Sequence, residues 1–242
     1  CSPAHAAFHA PIPTLPLSPT DRQRQAFRTD VLDWYDEHKR SMPWRETDDP
    51  YRIWVSEIML QQTRVDTVRD YYHRFLEAFP TVEALADADR DTVLKHWEGL
   101  GFYARARHLH TAAQHVVDEH DGTVPSTMDA IKDLKGVGPY TAAAVLSIAY
   151  RKPHAVLDGN VTRVLSRVFA VDEDATTSAA EGHLRDLANE LLDPDRPGDF
   201  TVAIIELGAL VCTHRKPDCE CCTRKAVCRD HDDGTEEDDP IT

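Results

Sequence analysis

Residues 134–142 read Leu134-Lys135-Gly136-Val137-Gly138-Pro139-Tyr140-Thr141-Ala142, a basic turn with two glycines that opens into an apolar segment. Gly136 and Gly138 allow positive φ angles, and Pro139 suits the first position of a helix. The preceding residues, 126–135, predict a short helix with Ser126 as its N-cap. The stretch therefore predicts helix, hairpin and helix. Free amides at a helix N-terminus bind phosphate, although an ordinary turn between helices fits the same residues.

The composition describes a globular, acidic chain. Its 242 residues have room for one large domain or two small ones. The net charge of −15 argues against undirected binding to nucleic acid, which needs lysine and arginine. Aspartate outnumbers glutamate by 28 to 14, and arginine outnumbers lysine by 20 to 7. This bias predicts a halophilic protein, in which salt screens long-range repulsion and local basic clusters make the contacts to DNA.

The sequence shows neither a transmembrane segment nor a signal peptide. No run of about 18 apolar residues is present, so we expect no transmembrane helix. The first 19 residues contain five prolines and lack the basic start and apolar core of a signal peptide. We expect residues 1–20 to be a flexible arm and residues 230–242 a disordered acidic tail. A cytoplasmic location follows, where six cysteines are more typical of metal ligands or inert thiols than of disulfides.

Helical periodicity dominates the rest of the chain. The fold class is therefore predicted to be all-α. Thr81 and Asp89 are the expected N-caps of two short helices. The longer predicted helices cover residues 21–39, 51–62, 63–79, 103–119, 139–151, 178–192 and 198–211.

Four cysteines near the end of the chain have a spacing that suits one inorganic centre. Cys212, Cys219, Cys222 and Cys228 follow the pattern C-x6-C-x2-C-x5-C, with Cys221 outside it. Zinc usually takes two closely spaced cysteine pairs, whereas a cubane iron–sulfur cluster is wider and tolerates longer gaps. Basic residues surround the cysteines, and we expect them to meet phosphates. They are Arg215, Lys216, Arg224, Lys225 and Arg229.

Taken together, these features resemble the endonuclease III superfamily of helix-hairpin-helix DNA glycosylases, over about residues 22–229. The hairpin, an aspartate 18 positions beyond Tyr140 and the cysteine pattern carry the resemblance. Within the superfamily, the chain looks most like the MutY branch of adenine DNA glycosylases. The motifs that indicate this branch are MPWR at 42–45, WVSEIMLQQT at 54–63, GLGFYAR at 99–105 and LDGNV at 157–161.

The resemblance implies a fold and a cofactor. Two helical domains would flank a DNA-binding cleft. A helical barrel with the hairpin would span residues 42–152, and a second domain would combine residues 21–41 with 153–229. The second domain would hold a [4Fe–4S] cluster on Cys212, Cys219, Cys222 and Cys228.

The resemblance also implies catalytic residues for breaking an N-glycosidic bond. Glu57 lies in an apolar segment, where burial raises a carboxyl pKa and suits a general acid; by resemblance it protonates adenine N7. Asp158 is a predicted helix N-cap and would stabilise the sugar cation, with Asn160 orienting water or Asp158. Tyr140 stands where bifunctional relatives carry a Schiff-base lysine, so we predict a monofunctional enzyme.

Further residues are expected to contact DNA once the target base has left the duplex. Phe102 stands where the family usually has tyrosine beside 8-oxoguanine. Arg45 is a weaker candidate for the adenine pocket. The remaining expected DNA contacts are Gln61, Gln62, Thr63, Tyr103, Lys135, Gly136 and Gly138.

Two departures from the family pattern leave the substrate open. The chain ends 14 residues after Cys228, so we expect it to lack the Nudix-like domain of MutY proteins. Val202 stands where adenine-specific relatives carry glutamine or glutamate. The leading hypothesis is a monomeric base excision repair enzyme that removes adenine opposite 8-oxoguanine or guanine in double-stranded DNA. A mismatch thymine or uracil glycosylase, a non-catalytic iron–sulfur DNA-binding module and a zinc scaffold remain as alternatives.

Overall fold

The computed structural model describes residues 19–169, 171 and 177–234, and every regular element in them is helical. The all-α prediction is therefore confirmed. Nearly all of the expected arm and residues 235–242 of the expected tail lie outside the described residues. Within the described part of the chain, no helix is both long and apolar enough to cross a membrane.

The described residues fall into two compact units. One joins the residues up to Lys39 to those from Pro153 onward, and the other is Arg40–Lys152. The first unit contains α1 (Asp21–His38), α9 (Gly159–Phe169), α10 (Ser178–Leu191), α11 (Pro197–Leu210) and α12 (Arg229–Asp233). The second contains α2 (Pro50–Leu60), α3 (Val65–Ala78), α4 (Val82–Ala86), α5 (Arg90–His96), α6 (Ala104–His120), α7 (Met128–Lys132) and α8 (Pro139–Ile148).

The core of the unit Arg40–Lys152 is built around α2. Residues 53–59 of this helix are all buried, as its apolar sequence predicts. Asp49 caps α2, since its Oδ1 accepts a hydrogen bond of 2.9 Å from Tyr51 N. On α3, Phe75 packs edge-on against Trp97 with ring centroids 5.7 Å apart, and both side chains are fully buried. The cap fixes the N-terminal end of α2, and the aromatic pair is part of the core of this unit.

The other unit has a separate aromatic core. Phe27 of α1 is fully buried and contacts Phe169 of α9 and Phe200 of α11, at centroid distances of 5.9 and 6.1 Å. A bidentate ion pair joins α1 to the start of α11, with Arg196 Nη1 and Nη2 donating to the Asp36 carboxylate at 2.9 and 2.8 Å. This ion pair lowers the pKa of Asp36. These contacts fix α9 and α11 against each other, which matters for the residues at the start of α9.

Two local expectations are wrong. The helix before the hairpin begins at Met128 with Thr127 as N-cap, not Ser126. Ser126 instead accepts from Lys152 Nζ through its carbonyl and, at 3.4 Å, through Oγ. Residues 229–233 form α12 although disorder was expected from Asp230, because Asp232 N donates to the Cys228 carbonyl at 3.2 Å and extends the cysteine loop. The Thr81 cap is confirmed, since its Oγ1 accepts from Ala84 N at 3.2 Å.

Candidate functional site

The hairpin between α7 and α8 has the local geometry that its glycine and proline predict. Val137 N donates to the Leu134 carbonyl at 3.1 Å, and Gly136 has φ +81°. A Cβ on Gly136 would lie 2.7 Å from His108 Cβ, so only glycine fits there. The positive φ expected for Gly138 is wrong. Its φ is −90° because it is the extended N-cap before Pro139, and residues before proline favour extended backbone.

The start of α8 leaves its first amides without a side-chain cap. Gly138 provides no side-chain hydrogen bond, and Pro139 lacks an amide proton. Lys135 in the adjacent turn is exposed, and Tyr140 is half-buried in the first turn of α8. A helix N-terminus next to a lysine is suited to a phosphate oxygen.

Glu57 lies near the C-terminal end of α2 and is only 8% exposed. Beyond the helix, the chain turns sharply, with Gln62 at φ +55°. Gln61 Nε2 donates to Thr141 Oγ1 at 3.3 Å, which joins the end of α2 to the first turn of α8. The structure thus brings residues 61–63 together with the hairpin.

The loop before α6 presents two aromatic side chains to solvent. Phe102 is 60% exposed and Tyr103 is 40% exposed, and Phe102 has φ +46°. A left-handed φ is unfavourable for a bulky residue and persists where the surrounding structure imposes it. This loop is also tied to residues 61–63 by the buried side chain of Arg105. Two of the segments expected to contact DNA, residues 61–63 and the loop with Phe102 and Tyr103, are therefore held together by one side chain.

Arg45, the remaining candidate in this unit, lies at the end of a 3₁₀ turn, Pro43–Arg45. Its side chain is half-buried, and its Nη1 donates to the Arg40 carbonyl at 3.0 Å. The guanidinium therefore supports the chain entering this turn.

Asp158 caps α9 in the other unit, as its sequence predicts. Its Oδ1 accepts from Val161 N at 2.8 Å, and its Oδ2 accepts from Asn160 Nδ2 at 3.0 Å. Arg163 Nη2 in turn donates to Asn160 Oδ1 at 2.9 Å and to the Gly208 carbonyl at 2.7 Å. Arg163 Nε donates to the Cys212 carbonyl at 2.8 Å. The carboxylate is thus held by a chain of hydrogen bonds that reaches the cysteine loop.

The four cysteines of the predicted pattern line one cavity. Burial raises the pKa of the Cys222 thiol to about 11 and that of Cys228 to about 12. Proximity of the Cys212 thiol adds to both shifts. Arg167 is buried and its Nη1 lies 3.6 Å from Cys212 Sγ. Across the described residues, no three His, Cys, Asp or Glu side chains are close enough to hold a single metal ion.

The basic residues around the cysteines differ in their exposure. Arg215 and Lys216 are exposed, as a phosphate-contacting rim requires. Arg224 is not part of such a rim because it is only 3% exposed. Its guanidinium pairs with Asp30 of α1 and lies 5.0 Å from the ring centroid of Phe27. Arg224 therefore joins α1 to the cysteine loop, which the sequence did not predict.

The family scan identifies residues 55–190 as an HhH-GPD superfamily base excision DNA repair protein. The chain is 49% identical over 215 residues to an adenine DNA glycosylase of Rattus norvegicus, an alignment that covers 85% of this chain and 42% of the rat protein. A Schizosaccharomyces pombe adenine DNA glycosylase is 44% identical, with 87% of this chain and 50% of that protein covered. The chain thus spans half or less of the length of these relatives.

Among solved structures, a thermostable thymine-DNA glycosylase is similar to this chain with a TM-score of 0.82 and 31% identity. The match covers 88% of this chain and 98% of that one. An endonuclease III–DNA covalent intermediate has a TM-score of 0.74 at 19% identity, which shows a shared fold. With the hairpin, the capped Asp158 and the family match over more than half of its length, the chain belongs to the HhH-GPD superfamily of base excision DNA repair proteins.

Proposed function

We propose that this chain is a monofunctional DNA glycosylase that removes adenine mispaired with 8-oxoguanine or guanine in double-stranded DNA. The observation that carries the proposal is Glu57, a carboxyl group only 8% exposed on a helix of the hairpin-containing unit. A buried carboxyl can protonate a purine at N7, and a pyrimidine has no such atom. The 49% identity to the rat adenine DNA glycosylase supports the same substrate.

The reaction first requires protonation of the leaving base. Glu57 donates its proton to adenine N7, and the C1′–N9 bond then breaks with its electron pair moving to the base. The buried setting of Glu57 keeps water away from that proton. Arg45 is the proposed contact to the adenine pocket.

The reaction also requires stabilisation of the sugar cation. Asp158 stabilises the positive charge that develops at C1′, and water then adds to C1′ and loses a proton. The hydrogen bonds from Val161 N and Asn160 Nδ2 fix the orientation of the carboxylate. Asn160 is therefore assigned the role of orienting Asp158. The products are free adenine and an abasic site in an intact strand.

Strand cleavage is not part of the proposed activity. A lyase forms a Schiff base through an amine, and position 140 holds tyrosine instead of lysine. Tyr140 lies in the first turn of α8, where its ring can shield the sugar cation.

Two surfaces are proposed to contact the DNA. The uncapped start of α8, with Lys135, Gly136 and Gly138, binds a backbone phosphate. The other surface fills or wedges the base stack opposite the extruded adenine. Its residues are Gln61, Gln62, Thr63, Phe102 and Tyr103.

We propose that Cys212, Cys219, Cys222 and Cys228 hold a [4Fe–4S] cluster. The donor set fits because four thiols line one cavity, and their C-x6-C-x2-C-x5-C spacing suits a wider group than zinc. When bound, the cluster would supply iron–thiolate bonds that join the loop segments of residues 212–228. Absorbance near 400 nm together with iron in the purified protein is expected; a colourless, zinc-loaded protein would contradict this assignment.

A thymine-DNA glycosylase is the second candidate. The similarity to the thermostable thymine-DNA glycosylase favours it, because the match covers nearly the whole of that protein. Val202 of α11 also favours it, since an apolar side chain offers adenine no hydrogen bond. Glu57 argues against it, because thymine has no N7 to protonate.

One strand-nicking assay separates the two candidates. Duplexes with adenine opposite 8-oxoguanine, adenine opposite guanine, and thymine or uracil opposite guanine are incubated with the protein and then treated with alkali. We expect breaks only at adenine and only after alkali. Cleavage at thymine or uracil alone would overturn the adenine assignment. Glu57→Gln is expected to lower the rate by at least about 100-fold, because a single general acid contributes that much; an undiminished rate would remove Glu57 from the mechanism.

A further inference from the structure

Arg105, in the first turn of α6, is a buried arginine that makes an unusual number of contacts to backbone carbonyls. Its side chain is 9% exposed. Nη1 donates to the carbonyls of Ile58, Met59 and Gln61 at 3.0, 2.9 and 2.5 Å. The last carbonyls of a helix lack partners within the helix. Arg105 therefore serves as the cap and the counter-charge for the C-terminal end of α2.

The other terminal nitrogen of the guanidinium, Nη2, bonds to the loop at residues 100–101 as well as to Thr63. Nη2 donates to the carbonyls of Leu100 and Gly101 at 3.2 and 3.3 Å, and to Thr63 Oγ1 at 3.1 Å. One side chain thus bonds to residues 58–63 and to the loop at residues 100–101, more than 35 positions apart in the chain.

The guanidinium also contacts the exposed aromatic ring. Its central carbon lies 5.4 Å from the Phe102 ring centroid and 5.5 Å from that of Trp97. Trp97 is fully buried, whereas Phe102 is 60% exposed. Phe102 and Gln62 both have left-handed φ angles, which chains adopt only when their surroundings impose them. The bonds from Arg105 lie on the backbone next to each of these residues.

We propose that Arg105 is a positioning residue that clamps residues 61–63 and 100–103 into one rigid surface and thereby sets the preference for a mismatched over a fully paired site. The clamp is a property of the fold, and its effect on DNA rests on the proposed function. Because the clamp orders Gln62 and Phe102 before DNA binds, less binding free energy is lost in ordering them. More of the contact free energy is then available for recognition.

Lysine cannot replace arginine in this role. An ammonium group has three donors at one point, whereas the guanidinium reaches six acceptors from two separate nitrogens. An ammonium also lacks the flat face that stacks on Phe102. Arg105→Lys therefore keeps the buried charge and removes the clamp. Arg107, exposed on the same helix, provides the matched control Arg107→Lys.

The clamp itself is tested by amide hydrogen exchange on the full chain without DNA. In Arg105→Lys we expect peptides covering residues 61–64 and 99–103 to exchange about 10-fold faster or more, with α3 and α8 unchanged. Arg107→Lys should match the original chain. Unchanged exchange at both segments, or an equal increase everywhere, would overturn the clamp. If Arg105→Lys fails to fold, Thr63→Val removes one Nη2 bond and should give a smaller increase confined to the same two segments.

The effect on recognition is tested by equilibrium binding. The duplexes carry 2′-fluoro-2′-deoxyadenosine, which resists cleavage, opposite either 8-oxoguanine or thymine. Arg105→Lys should lower the preference for the mismatch by about 10-fold while changing the affinity for the paired duplex less than about 2-fold. When Phe102 is already replaced by alanine, adding Arg105→Lys should change the preference for the mismatch very little.

The outcomes separate the clamp from the proposed function. Faster exchange combined with no mismatch preference in the original chain would support the clamp and refute the adenine assignment. A clear mismatch preference in the original chain that Arg105→Lys retains would refute the role of Arg105 in recognition. An equal loss of affinity for both duplexes would also refute that role, because it indicates a general loss of binding.

Discussion

Gly208→Ala is a small change that tests how Asp158 is held in place. Gly208 lies in α11, where a Cβ would be 2.7 Å from Asn160 Cβ and 3.0 Å from the Asn160 carbonyl oxygen. Ordinary Cβ contacts begin at 3.4 Å. Asn160 must therefore move by about 0.7 Å, or α11 must move away from α9. Asn160 also donates to Asp158, so the displacement is transmitted to the carboxylate.

The size of the effect follows from these distances. Overpacking of a core contact costs about 1–3 kcal/mol, and the helix propensity of alanine offsets up to about 1 kcal/mol of it. With the full offset, the net loss is about 0–2 kcal/mol, which lowers the melting temperature of a chain of this size by up to about 8 °C. A catalytic group displaced by close to 1 Å costs about 10- to 100-fold in rate. We expect both losses in Gly208→Ala.

The assay measures the single-turnover rate of adenine removal at saturating enzyme from the duplex with adenine opposite 8-oxoguanine. Thermal unfolding of the same protein is measured alongside it. Gly182→Ala is the matched control, because Gly182 lies in α10 of the same unit with nothing within 4 Å of a new Cβ. The control should keep its rate and gain up to about 1 kcal/mol. A Gly208→Ala protein with the original rate would refute the argument that Asn160 positions Asp158, even if its stability fell.

Three further predictions concern residues in separate parts of the chain. Tyr140→Lys places an amine in the first turn of α8, so borohydride should trap a covalent complex with abasic DNA, and Tyr140→Phe should give none. Cys228→Ser should lose iron and the absorbance near 400 nm, and full retention would exclude Cys228 as a ligand. Phe27→Ala should destabilise the protein by about 3–5 kcal/mol in urea unfolding, because three aromatic rings meet there; a loss below about 1 kcal/mol would contradict that packing.

Helices and caps were the most predictable features because their signals are local. The apolar residues of α2 and α8 indicated buried helices, and both helices are buried along most of their length. Asp158 was a predicted N-cap, and the bond to its Oδ1 comes from an amide only three residues away. The expectation for Gly138 failed because two local signals competed, the freedom of glycine and the extended backbone that is favoured before Pro139. Ser126 does not cap the helix; its carbonyl and Oγ accept from Lys152, 26 positions away in the chain.

The sequence by itself determined the helical class, the hairpin, the cysteine pattern and the choice of tyrosine at position 140, because each depends on residues close together in the chain. Only the tertiary structure decided the roles of Arg105, Arg163 and Arg224. Arg105 binds carbonyls 44–47 positions away, Arg163 binds one 49 positions away, and Arg224 pairs with a carboxylate 194 positions away. Backbone carbonyls have no residue identity, so the sequence does not show which carbonyls an arginine will bind, even where the arginine lies in a motif, as Arg105 does. Which arginine becomes buried is decided when the helices pack.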